Sequence, residues 1–173
     1  MRKYLPHILI ISFVFLLAPT AHVASYAGWI EDDIEDAKKE VRKNPDDAVA
    51  HFNLGKACGM SVSHQDESER SFKQAIWIDP EYAEAHYYLG MCNDSDKATQ
   101  KRAIKHYNYA IMYCSDDDTG FNLRVRAHYK LGLVFINLSR DRWAANEQIK
   151  KLQDLGAWKS ATRLKGMILT ELD

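Results

Sequence analysis

The chain has 173 residues, enough for one domain with a sizeable core. It carries 23 Lys and Arg against 24 Asp and Glu, a net charge of −1, with the two signs interspersed. That balance argues against a nucleic-acid binder, whose phosphate partner calls for a basic stripe.

The first 27 residues do not read as part of the core. Arg2 and Lys3 form a positive start, an apolar run extends from Ile8 to Leu17 broken by Ser12, and small residues end at Ser25-Tyr26-Ala27. This is the layout of a secretory signal peptide over residues 1–27, with cleavage expected after Ala27. The run is shorter than the roughly 20 residues of a spanning helix, so contact with a membrane is expected only through this segment if it stays uncleaved. From Gly28 onward the chain holds 21 basic and 24 acidic residues, net −3. Export to a bacterial periplasm, or secretion, is the expectation.

Residues 28–45 follow as a helix with the stripe Trp29, Ile30, Ile34, Ala37, Val41, closed by Pro45. Then one string recurs three times: AHFNLG at Ala50–Gly55, AHYYLG at Ala85–Gly90, AHYKLG at Ala127–Gly132. Such a period points to a solenoid of stacked helical units. Each copy opens a first helix, and its Gly lets a partner helix come close. A second helix follows each: Phe72, Ala75 and Ile76 ended by Asp79-Pro80; then Ala103, Tyr107, Ala110 and Ile111; then Ala145, Ile149, Leu152 and Leu155. One hairpin cannot bury its apolar face alone, but a stack can. The extra residues before the third copy, Ser115 to Asn122, read as a polar surface loop. Trp158, Leu164, Met167, Ile168 and Leu169 read as a closing helix.

These motifs resemble the tetratricopeptide repeat. Leu54-Gly55, Leu89-Gly90 and Leu131-Gly132 match its Leu-Gly pair, and Phe72, Ala75 and Pro80 match its second-helix Phe and Ala and its closing Pro. Ala103, Tyr107 and Ala110 match the same second-helix positions. The family's Trp is replaced by His51, His86 and His128, and the second closing Pro by Ser115. The resemblance implies an all-α, right-handed solenoid of about three hairpins. Its parts are an N-terminal capping helix (28–45), repeats over 46–80, 81–115 and 123–157, and a capping helix over 158–173.

It also implies a function: a protein- or peptide-binding scaffold or adaptor of the bacterial cell envelope, not an enzyme, with the partner held in a concave groove. The positions it would turn toward that groove are Phe52, Lys56, Glu84, Tyr87, Met91, Arg126, Tyr129, Lys130 and Leu133, with Val49 beside them. Phe52, Tyr87 and Tyr129 would be aromatic anchors, and Arg126 and Lys130 a polar grip. Two alternatives stand beside this reading: a chaperone of a secretion system, and a metal-binding or enzymatic protein on the same scaffold. Self-association is left open.

No cofactor or catalytic residue is expected, since there is no phosphate loop, nucleophile elbow or HExxH. Equivalent histidines in adjacent hairpins stand about a helix-packing distance apart, roughly 8–10 Å, too far to share one metal ion. No metal is expected there, and Asp116-Asp117-Asp118 and Asp94-x-Asp96 lack the Gly and Glu of a calcium loop. Of the three cysteines, Cys58, Cys92 and Cys114, a Cys58–Cys92 bridge is conceivable, but buried free thiols fit better.

Overall fold

The computed structural model describes residues 28–171. The proposed signal segment and its cleavage point lie outside the described residues, as do the last two residues of the closing segment. Eight α-helices follow one another: α1 (residues 28–43), α2 (Ala48–Gly59), α3 (Gln65–Ile78), α4 (Ala83–Cys92), α5 (Gln100–Tyr113), α6 (Asp118–Val134), α7 (Arg142–Asp154) and α8 (Trp158–Glu171). Among the described residues there is no strand. No described helix is long and apolar enough to cross a membrane.

Local chemistry sets the helix ends. Asp47, Asp117 and Asp141 cap α2, α6 and α7, their carboxylates accepting from the backbone N–H of Val49, Gly120 and Ala144. After α7, Gly156 sits at φ 72, and Ala157 N–H reaches back to the Leu152 carbonyl, a Schellman close. The cap at Asp117 overturns the expectation of a loop over 115–122: α6 begins at Asp118, so the insertion lengthens a helix. The third hairpin therefore starts before residue 123. At its other end α6 runs into a π turn, Phe135–Ser139, stopped by Arg140 in the left-handed region at φ 55.

Each helix packs on its chain neighbours, so order in sequence becomes order along the solenoid. The core is a relay of clusters. Ile30 and Ile34 of α1 meet Leu54 and Cys58 of α2. Phe52 and Phe72 join Ala85 and Leu89, and Tyr87 and Tyr107 join Ala127 and Leu131. Ile149, Leu152, Leu164 and Ile168 close the far end. The Leu-Gly pair works as a seat. A Cβ on Gly55 would stand 2.6 Å from the Phe72 ring, and one on Gly90 would stand 2.7 Å from Tyr107. In the third copy the neighbour changes: Leu164 of α8 occupies the space at Gly132.

The end helices depart from the sequence reading at their tryptophans. Ile30, Ile34, Ala37 and Val41 share one inward stripe, whereas Trp29, 100° away around the helix, is 67% exposed. On α8, Ala161, Leu164 and Ile168 turn inward, while Trp158 and Leu169 are 62% and 57% exposed.

Candidate functional site

The repeated histidines have a structural task. His51 Nε2 lies 2.8 Å from the Pro45 carbonyl, and His86 Nε2 lies 3.0 Å from that of Pro80. A carbonyl only accepts, so in each ring Nε2 carries the proton. Each bond ties a first helix to the Pro turn six residues upstream. The other nitrogen reaches across the hairpin: His86 Nδ1 lies 3.1 Å from His106 Nδ1, and His128 Nδ1 2.9 Å from Gln148 Oε1. With Nε2 of His86 protonated, its Nδ1 accepts and His106 Nδ1–H donates. Burial lowers the basicity of His86 and His128, and burial with the neighbouring His86 brings His106 down to about 4. These rings are hydrogen-bonding stitches, and His51, His86 and His128 stand where the resembled family has Trp. The sequence did hold the signal: Pro45 and His51 stand at the same spacing as Pro80 and His86.

All three cysteines are free thiols, so the conceivable Cys58–Cys92 bridge is not formed. Burial pushes the thiols of Cys58 and Cys92 up to about 11, so both stay protonated and unreactive at neutral pH.

The expected groove residues separate into three groups. Phe52 and Tyr87 are only 8% and 4% exposed and belong to the core. Phe52 contacts the rings of Phe72, Tyr82 and Tyr88 at 5.0–5.9 Å. Tyr87 packs on Tyr88 and Tyr107, with the Arg126 guanidinium 4.5 Å from its ring centre. A second group is engaged within the fold. Lys130 pairs with Asp94 at 3.0 Å, and Asp94 also accepts from Tyr107 O–H. Tyr129 and Leu133 pack against the terminal cluster, with Arg163 over the Tyr129 ring. Glu84 borders a small cleft beside the α4–α6 turns. The third group, Lys56 and Met91, faces an open pocket of about 540 Å³ between α2 and α4.

That pocket has a recognisable build. Its floor is Phe72 and Ser68 of α3, the hydroxyl held by the Gly55 carbonyl at 2.7 Å. Tyr88, stacked on Phe72 at 5.4 Å, forms one wall, with Met91 and Cys92 beyond it. Asn53, Lys56 and Met60 form the opposite wall, and Asp33 of α1 lies at the rim. The wall-forming aromatic is thus Tyr88, one position after the expected Tyr87. Successive helical residues differ by 100°, and the periodic pattern alone left that register open.

No protein-family model and no curated protein sequence matches the chain. Solved structures do. The chain is similar to a crystal structure of MamA, at 27% identity and TM-score 0.63, over 85% of this chain and 80% of that one. A second MamA crystal structure matches at 25% identity and TM-score 0.55, over 91% of this chain and 75% of that one. The shared fold is a helical-repeat solenoid of the tetratricopeptide type. Likeness to MamA supports a helical-repeat protein-interaction scaffold.

Proposed function

We propose that the chain is a peptide-binding adaptor of the bacterial cell envelope, without enzymatic activity, that grips an apolar side chain of its partner in the α2–α4 pocket. The observation that carries this reading is the pocket itself. It joins exposed apolar surface (Met60, Met91, the face of Tyr88) to a few polar groups at the rim (Asn53, Lys56, Asp33), the usual make-up of a specific small site. Aromatic and Met side chains are the residues on which binding energy concentrates.

Selection of peptides on the immobilised protein from a displayed random library tests the site. Peptides so obtained are expected to lose about 2 kcal/mol or more against Met91→Glu, roughly a thirtyfold weakening. Trp143→Ala, an exposed change on α7 outside the pocket, is expected to leave binding intact. Peptides that bind Met91→Glu as well as the unchanged protein would remove the pocket from the account. Tyr87→Ala belongs in the same series as a core control, with a cost of about 3–5 kcal/mol in stability.

The envelope location rests on the Arg2-Lys3 start, the Ile8–Leu17 run and the small residues before Gly28. N-terminal sequencing of protein from the periplasmic or secreted fraction is expected to begin at Gly28. A full-length cytoplasmic product would refute export.

A further inference from the structure

We infer that the partner segment gripped in the α2–α4 pocket is acidic beyond its apolar residue, and that Arg126 of α6 and Arg163 of α8 receive its side-chain carboxylates. The inference rests on the reading of that pocket as a peptide site, and it adds the chemistry of the segment that leaves it.

The repeat-equivalent aromatics supply the first observation. Phe52, Tyr87 and Tyr129 each serve as the platform for one cation. Lys56 Nζ lies 5.6 Å from the Phe52 ring centre, the Arg126 guanidinium 4.5 Å from that of Tyr87, and the Arg163 guanidinium 6.0 Å from that of Tyr129. All three cations are exposed. A charge drawn to a ring face is held in place before any partner arrives, which lowers the ordering cost of binding. A stacked guanidinium still donates in its own plane, in the fork that matches a carboxylate. Tyr88, which forms the pocket wall, is within hydrogen-bonding reach of Arg126, so this cation stands beside the pocket.

The second observation is the balance of charge. Helices α6 and α8 carry six cations between them, and their only carboxylates are the terminal residues Asp118 and Glu171. Two of the six are paired, Arg124 with Asp116 and Lys130 with Asp94. No described residue forms an ion pair with Lys56, Arg126 or Arg163. Two further carboxylates border this side of the molecule. Asp33 lies at the pocket rim, and Glu84 holds on α4 the repeat position of Arg126 and borders the small cleft at the α4–α6 turns. Beyond α4 the charge left without a partner is positive. An apolar pocket beside these cations calls for a peptide that carries both an apolar side chain and carboxylates, not for a bare polyanion.

The spacing of the helices sets the spacing of the acids. Packed helices stand roughly 8–10 Å apart, and an extended chain advances about 3.3 Å per residue. The pocket lies between α2 and α4, Arg126 leans from α6 onto α4, and Arg163 leans from α8 onto α6. A segment crossing these helices therefore meets the two cations about three and six residues after its apolar anchor.

Peptides from the displayed library test it. Those weakened by Met91→Glu are expected to carry Asp or Glu about three and six residues from the anchor. One of them is synthesised with an amidated C-terminus, so that only side-chain carboxylates are read. Exchange of its acids for Asn or Gln is expected to weaken binding about two- to fivefold for each acid in calorimetric titration at about 0.01 M salt. Near 1 M, where the screening length falls to about 3 Å, that difference is expected to vanish. Arg126→Glu with Arg163→Glu is expected to reverse the preference, so that the same peptide with Lys at both positions binds in place of the acidic one. Both positions are exposed, and circular dichroism confirms that the variant is folded. Selected peptides without acidic preference, or an acidic peptide that binds the reversed variant unchanged, overturn the inference and leave the pocket reading in place. A selection that returns no binder, or binders indifferent to Met91→Glu, removes the pocket and this inference with it.

Discussion

At the scale of the residue, the His86–His106 contact has a consequence for pH. Two imidazole nitrogens 3.1 Å apart leave room for one proton between them. The cations Lys105, Lys73 and Arg102 disfavour further positive charge at His106, Asp79 partly favours it at His86, and Tyr109 packs on both rings. In the unfolded chain each His titrates near its ordinary value of about 6.5. In the folded chain His106 does so only at about 4. Between those values the unfolded state binds the extra proton, so folding stability rises with pH across that window. The stabilisation is complete above about pH 6.5 and is lost as pH falls toward 4. Urea unfolding midpoints at several pH values in this window check it. His106→Gln, which keeps a donor but cannot titrate, is expected to flatten the fall. An equally steep fall in that variant would assign the effect to carboxylates alone.

At the scale of the element, the hairpins were legible because their signals are redundant. Three copies of one six-residue string, each followed by a second apolar stripe, fix helix pairs whatever any single propensity suggests. Three features escaped that reading, each for a physical reason. The stretch from Ser115 to Asn122 looks like a loop by composition, yet Asp117 is a capping residue, and a cap converts a polar run into a helix start. Trp29 and Trp158 look like core by hydrophobicity, but the end helices have only one neighbour side to pack on, so a full apolar stripe exceeds what can be buried. The resemblance makes Phe52 and Tyr87 groove anchors, whereas the structure buries both and lines the open pocket with Asn53 and Tyr88. Repeat position identifies the turn of the helix. Which of two adjacent aromatics faces outward depends on what the second helix supplies, and here Phe72 and Tyr107 draw Phe52 and Tyr87 inward.

At the scale of the whole molecule, the packing order predicts how the fold opens. Contacts run almost entirely between consecutive helices, so stability is a sum of hairpin and neighbour terms, not the property of one central core. Helices α4 and α5 lie in the middle, where Ala85, Leu89, Ala103, Tyr107 and Ala110 are nearly inaccessible and hairpins cover both sides. Opening them exposes two interfaces. Helices α1 and α8 each pack on one side only, and opening either exposes one. Local opening free energies span from near zero to the global value within a single protein. Native-state hydrogen exchange is therefore expected to show the strongest protection in α4 and α5, declining in both directions along the chain. Equal protection in every helix would mean that the solenoid unfolds as one unit, and that coupling between hairpins outweighs the one-dimensional arrangement seen in its contacts.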